Sequence, residues 1–120
     1  MDKTARGFRQ LGVWQKAYEM TLEIYRLTKK FPKAEQYGLI SQIQRAAVSV
    51  PANIAEGYDR NHKKEYLQFL CIARGSLGEL ETLLMLAKDL DYLTADDYHS
   101  VDAKRSETAR MLQGLLKSLS

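Results

Sequence analysis

Residues 65–90 read EYLQFLCIARGSLGELETLLMLAKDL, and their rhythm decides the fold. Tyr66, Leu70, Ala73, Leu77, Leu80, Leu84 and Ala87 recur at alternating spacings of four and three, which is one stripe of an α-helix. A second stripe of Phe69, Ser76, Leu83 and Leu90 widens the apolar face to that of a helix touching two neighbours. Asn61 stands upstream as the predicted N-cap. Gly75 and Gly78 fall mid-helix, where each costs about 1 kcal/mol relative to alanine. Close approach of a neighbouring helix is the expected reason for them.

Three further segments carry the same period, and none alternates with period two over a useful length. In the first, Val13, Ala17, Met20, Ile24, Leu27 and Phe31 form the apolar seam, beside a more amphipathic stripe of Trp14, Tyr18, Thr21, Tyr25 and Thr28. Pro32 stops it. The second begins near Ala34 and carries Leu39, Ile40, Ile43, Ala47, Val50 and Ile54. Pro51 falls inside that phase, which predicts one helix kinked at the proline. The Ala47 carbonyl is then orphaned, and Ser49 or Asn53 is expected to help satisfy the freed groups. Gly57 is the predicted left-handed cap. The last segment opens with Thr94-Ala95-Asp96-Asp97, a relative of the capping box, and runs through Val101, Thr108, Leu112, Leu115 and Leu119, with Arg105 interrupting the seam.

The connections are short, at about residues 31–35, 57–62 and 91–95. Short connections force neighbouring helices antiparallel. The expectation is an all-α, up-down-up-down four-helix bundle: one domain over 1–120, with residues 1–10 a flexible basic arm.

Composition is ordinary for a globular chain, at 45% apolar and 28% charged residues in 120. No apolar run approaches the ~20 residues of a membrane span, and no apolar stretch follows the basic N-terminus as a secretory signal would require. The single cysteine, Cys71, forms no internal disulfide, which fits a reducing compartment. A cytoplasmic protein without a membrane partner is expected. The net charge of +3 is uneven: residues 1–33 hold eight Lys/Arg against three Asp/Glu, and residues 76–120 hold five against eight. Such a balance permits a polyanionic partner without demanding one.

Several stretches carry a family resemblance. They are Gly12-Val13-Trp14-Gln15-Lys16-Ala17, the Phe31–Leu39 connection, the run Ala47-Val48-Ser49-Val50-Pro51-Ala52-Asn53-Ile54-Ala55-Glu56-Gly57, and Ala73-Arg74-Gly75-Ser76-Leu77-Gly78-Glu79. Over roughly residues 8 to 118 the chain resembles the bacterial four-helix-bundle family encoded in intervening sequences of 23S ribosomal RNA genes. The resemblance implies a homo-oligomer, a ring of five. It also implies kinship with the accessory protein of diversity-generating retroelements, a basic pentamer that binds nucleic acid and a reverse transcriptase. Where the family often has two arginines, this chain has Gln44-Arg45, one positive charge fewer.

In the expected topology Lys3, Arg6 and Arg9 lie at the same end as Arg60, Lys63 and Lys64, with Lys117 nearby. Such a cluster contacts phosphates, and Phe8, Tyr58 and His62 are placed to stack on unpaired bases. A solvated bundle end is the plain alternative. The opposite end sets Lys29, Lys30 and Lys33 against Asp89, Asp91, Asp96 and Asp97, which reads as local charge balance. Gln42, Arg45, Ser49, Asn53 and Glu56 form a polar stripe on the second helix, open to three readings: a subunit interface or buried network, a solvent face, or a ligand site.

Enzyme signals are poor. Asp96, His99 and Asp102 share a face, but acidic helix capping explains them better than a metal site. Cys71 has no nearby histidine in sequence, and no glycine-rich phosphate loop is present. No arginine precedes a histidine by five residues, as in common helical-bundle ribonucleases. The sequence therefore points to a non-enzymatic homo-oligomer without cofactor or metal that binds RNA or DNA with little sequence preference. The rival is an oligomeric scaffold that binds another protein and no nucleic acid.

Overall fold

The computed structural model describes residues 7–120. A 3-10 turn, Gly7–Gln10, leads into α1 (Gly12–Thr28), and a second, Lys33–Glu35, precedes α2 (Leu39–Tyr58). The long helices α3 (Lys63–Asp89) and α4 (Ala95–Leu119) complete the chain. Each helix packs on its sequence neighbours and α1 closes on α4, while the diagonal pairs stay apart. The result is an all-α, up-down four-helix bundle measuring 46 × 23 × 20 Å. Its long axis is set by α3, whose 27 residues span about 40 Å. No helix among the described residues is long and apolar enough to cross a membrane.

The four seams meet on the bundle axis, where Met20, Ile24, Ile43, Ile54, Leu70, Leu77, Leu80 and Leu112 are fully buried. Small residues bring α2 and α3 closest together. Gly57 is not a left-handed cap, because α2 continues through it to Tyr58 and Asp59 keeps right-handed helical angles. A Cβ at Gly57 would sit 2.8 Å from Phe69 Cβ and 3.2 Å from the Tyr66 carbonyl oxygen. The missing side chain is what lets α3 cross there. Gly75 and Gly78 behave in the opposite way: both are exposed, and a Cβ on either meets nothing within 4 Å. No helix of this chain makes the close approach expected at them.

α2 runs unbroken through Pro51. The Ala47 carbonyl, deprived of its amide partner by the proline ring, accepts a hydrogen bond from the Thr21 hydroxyl of α1 at 3.2 Å. That hydroxyl also faces the Ala17 carbonyl at 2.8 Å, so its one proton is shared. Asn53 serves a different carbonyl: its amide donates to the Ser49 carbonyl at 2.7 Å and to the Ser49 hydroxyl at 2.9 Å.

The chain differs from expectation at three further places. α2 starts at Leu39 rather than near Ala34, because the intervening chain turns as a 3-10 element and Gly38 leaves helical angles. Glu35 then caps the new start, accepting the Leu39 amide at 3.2 Å, while the Tyr92 hydroxyl donates to its second oxygen at 2.9 Å. His62, not Asn61, occupies the N-cap of α3, and its side chain makes no capping bond. Of the arm expected over residues 1–10, Gly7–Gln10 forms a turn packed on α1 and α2.

The start of α4 follows the sequence. Thr94 accepts the Asp97 amide at 3.0 Å as the N-cap of α4. α3 ends in a Schellman motif: Tyr92 and Asp91 amides reach the Ala87 and Lys88 carbonyls, both at 2.9 Å, with Asp91 left-handed at φ 65°. The interruption at Arg105 is a buried, paired cation. Only 8% exposed, it donates to Asp102 at 2.6 Å and to Glu81 at 3.3 Å. Glu23, 7% exposed on α1, is matched by Lys104 and by the Ser100 hydroxyl at 2.9 Å.

Candidate nucleic-acid interface

The α2–α3 turn is built by the crossing at Gly57. Tyr58, the last residue of α2, meets Tyr66 edge-on with ring centres 6.1 Å apart. Arg60 folds back over the Phe69 ring at 4.9 Å, a cation–π geometry. Its two terminal nitrogens lie 2.8 Å from Glu56 and 3.8 Å from Glu65. Arg60 is therefore the compensated member of the predicted cluster. Lys63 and Lys64 are exposed in the first turn of α3 and make no ion pair among the described residues. The positive end of the helix dipole adds to their field. A cavity of about 370 Å³ opens between Tyr58, Asn61, His62, Lys63 and Tyr66. Burial, with Tyr58 beside it, pushes the Tyr66 phenol above its usual range and keeps it a neutral hydrogen-bonding group.

Arg9 is exposed on the first 3-10 turn, its guanidinium 5.6 Å from the Phe8 ring centre. The up-down topology sets α1's start and α2's end at one end of the bundle, so Arg9 shares that end with Lys63 and Lys64. Lys3 and Arg6 lie outside the described residues. Phe8 packs on Trp14 at 5.1 Å, and Trp14 stacks on Tyr18 at 5.0 Å, so the aromatic rings of α1 form a ladder along its surface.

The polar stripe of α2 divides. Ser49 and Asn53 are half-buried and join α3 through the Ser76 hydroxyl, 2.8 Å from that of Ser49. Gln42, Arg45 and Glu56 are exposed. Arg45 donates to the Ser41 hydroxyl at 3.1 Å, and Glu56 holds Arg60. Asp102 is engaged by Arg105 and His99 lies edge-on to Tyr98. Among the described residues no three metal-type side chains gather. Cys71 is exposed, its sulfur 3.8 Å from an Arg74 nitrogen.

At the far end the expected charge balance forms one direct ion pair among the described residues. Only Lys30 finds a carboxylate there, Asp97 at 3.6 Å. Lys29 and Lys33 make no ion pair among the described residues; they line an open groove of about 830 Å³ between the end of α1, the second 3-10 turn and the start of α2. Tyr25, Tyr37 and Arg45 line it too, and no aspartate or glutamate does. Sequence reading missed this groove, although Tyr25, Lys29, Lys33 and Tyr37 recur every four residues. The proline between them hid the continuity, because it ends the helix whose period would have joined them.

The fold defines a class: small, all-α, up-down four-helix bundles. Within it, the chain belongs to the family described as 23S rRNA-intervening sequence protein, whose profile matches residues 9–114. A crystal structure from Bacteroides thetaiotaomicron VPI-5482, of a protein with unknown function from the S23 ribosomal protein family, is similar. It shares 26% identity at a TM-score of 0.82, with 88% of this chain and 98% of that one covered. No curated protein matches the chain.

Proposed function

We propose that this chain is a non-catalytic, homo-oligomeric nucleic-acid-binding protein that grips the phosphate backbone with little sequence preference. The carrying observation is that exposed cations without an ion pair among the described residues gather at two places, Lys63 and Lys64 at the α2–α3 turn and Lys29, Lys33 and Arg45 in the α1–α2 groove. Unpaired surface cations raise the local potential and release condensed counterions when they meet phosphate. One subunit supplies few such contacts, so its affinity is low. A closed assembly, a ring of five by family resemblance, repeats them and multiplies the apparent affinity by avidity.

Self-association is favoured by apolar surface that the bundle leaves uncovered. Ile72, Met85 and Leu86 are exposed on α3 and Leu90 at its C-cap, and Tyr18 and Leu22 on α1. The open backbone at Gly75 and Gly78 offers a second helix the close approach that this chain's own helices do not make. Sedimentation at micromolar concentration is expected to give a multiple of 13.7 kDa. A monomer would remove the avidity argument.

Titrating labelled RNA and DNA, single-stranded and duplex, at two salt concentrations tests the binding. Affinity should fall with salt and weaken further in a Lys63→Glu, Lys64→Glu variant. No binding at low salt by an intact oligomer leaves the protein scaffold as the better description.

A further inference from the structure

Resting on the nucleic-acid reading, the geometry points to a specific cradle: we infer that the α1–α2 groove binds a single-stranded nucleic acid, with Lys29, Lys33 and Arg45 on its phosphates and Tyr25 and Tyr37 stacking its bases. Three observations converge there. The first is charge. The groove holds three cations and no carboxylate in its lining; of the nearby carboxylates, Asp97 pairs with Lys30, and Glu35 keeps its charge but is held by the Leu39 amide and the Tyr92 hydroxyl outside the lining. Arg45 meets only the Ser41 hydroxyl, a neutral partner that leaves its charge free.

The second observation is aromatic exposure. Tyr37 is 92% exposed and Tyr25 40%. A tyrosine that exposed contributes nothing to the core and has no packing reason to be aromatic. Flat π-faces beside cations are the ordinary means of holding unpaired bases, and they tolerate any base. The third is the floor. Its apolar part comes from Phe31, Ile40 and Val48, set among the side chains of Thr28, Gln36, Ser41 and Gln44, so only two aliphatic residues line the groove. An amphipathic helix docks through several aliphatic anchors in register, and this floor does not supply them. A duplex keeps its bases stacked inward and gives the tyrosines nothing to hold, so a single strand fits best.

The test uses the full-length protein and labelled homopolymeric 12-mers, dT and rU, with a duplex of equal length as comparison. Tyr37→Ala should fold as the wild type and weaken single-strand binding about fivefold or more, with no effect on duplex. A Lys29→Glu, Lys33→Glu, Arg45→Glu variant should lose single-strand binding and reduce the slope of log K against log salt by about 2. If dT and rU bind alike, the groove reads phosphate and base faces; if rU binds tighter, it also contacts the 2′-hydroxyl. Both results support the cradle. Binding by the wild type that survives both groove variants but is lost in Lys63→Glu, Lys64→Glu overturns the cradle and leaves the broader reading intact. No binding by the wild type overturns both. A groove variant that changes the sedimenting mass, with Tyr37→Ala binding normally, assigns the groove to a second copy of the chain and overturns the cradle too.

Discussion

The α2–α3 turn and the α1–α2 groove each carry three cations, and they differ in one member: at the turn one of the three is paired, in the groove none is. At the turn, Arg60 is bound to Glu56 one helical step before it and to Glu65 across the loop. In the groove, Lys29, Lys33 and Arg45 have no acidic partner. The difference is one of spacing. A cation four residues from a glutamate on one helix face is neutralised locally, whereas Arg45 has Ser41 at that spacing and Lys29 has Lys33. Counting charges along the chain therefore overstates the turn and understates the groove.

The largest effect expected on this contrast comes from Gly57, which holds the turn in place and does not touch the groove. Gly57→Ala forces a Cβ against Phe69 and the Tyr66 carbonyl, at a cost of roughly 1–3 kcal/mol. The melting temperature should fall by several degrees per kcal/mol, while groove binding per folded molecule persists. An unchanged melting temperature would mean that the crossing is not what fixes the turn.

Next is the bond that makes Pro51 tolerable behind the groove. Thr21→Val keeps the shape and removes the donor to the Ala47 carbonyl, costing about 1–2 kcal/mol in denaturant unfolding. Thr21→Ser, which keeps the hydroxyl, should recover most of that. Equal losses in the two variants would assign the effect to packing instead.

A smaller effect separates the cations of the turn itself. Lys64→Ala should shrink the salt slope for single-strand binding by about 0.7, the share of one released counterion. Arg60→Ala should leave it nearly unchanged, because Arg60 is already paired. Equal slopes would erase the contrast drawn here.

The smallest effect concerns Tyr92, whose hydrogen bond to Glu35, with burial second, raises its phenol above the ordinary tyrosine range. The protonated phenol makes the bond, so the raised folded value adds stability below the unfolded value of about 10. That stability is lost as pH rises through the folded value. Thermal stability should be level up to about pH 10 and fall above it, and Tyr92→Phe should soften the fall. A wild-type decline that matches Tyr92→Phe at every pH would deny the latch a role at the start of α2.

The bundle was legible because burial leaves a periodic record: most seam positions, the short connections and the Thr94 cap could be read from spacing, although Leu90 is exposed and Leu116 takes the buried place expected of Leu115. Glycines left no such record. Gly57, Gly75 and Gly78 look alike in sequence, yet one is packed against backbone and two face open space, since a glycine's role depends on what lies opposite. Charge pairing was partly legible. Glu56 and Arg60 are four apart across the end of α2, but the partner of Lys30 and one partner of Arg105, Glu81, come from other helices, and the freedom of Lys29 and Lys33 follows from which aspartates the bundle turns toward them. The supplier of the Ala47 carbonyl was hidden for the same reason. Thr21 lies 26 residues away, on a different helix.

The most direct test of the central claim is the salt dependence of single-strand binding by the wild-type oligomer, followed by anisotropy over a decade of salt concentration. The cations of the turn and the groove, with at least the three of the groove engaged, predict a linear fall of log K with log salt, its slope about −2 or steeper. Affinity that stays flat across that range, or no binding at the lowest salt by an intact oligomer, would contradict the account.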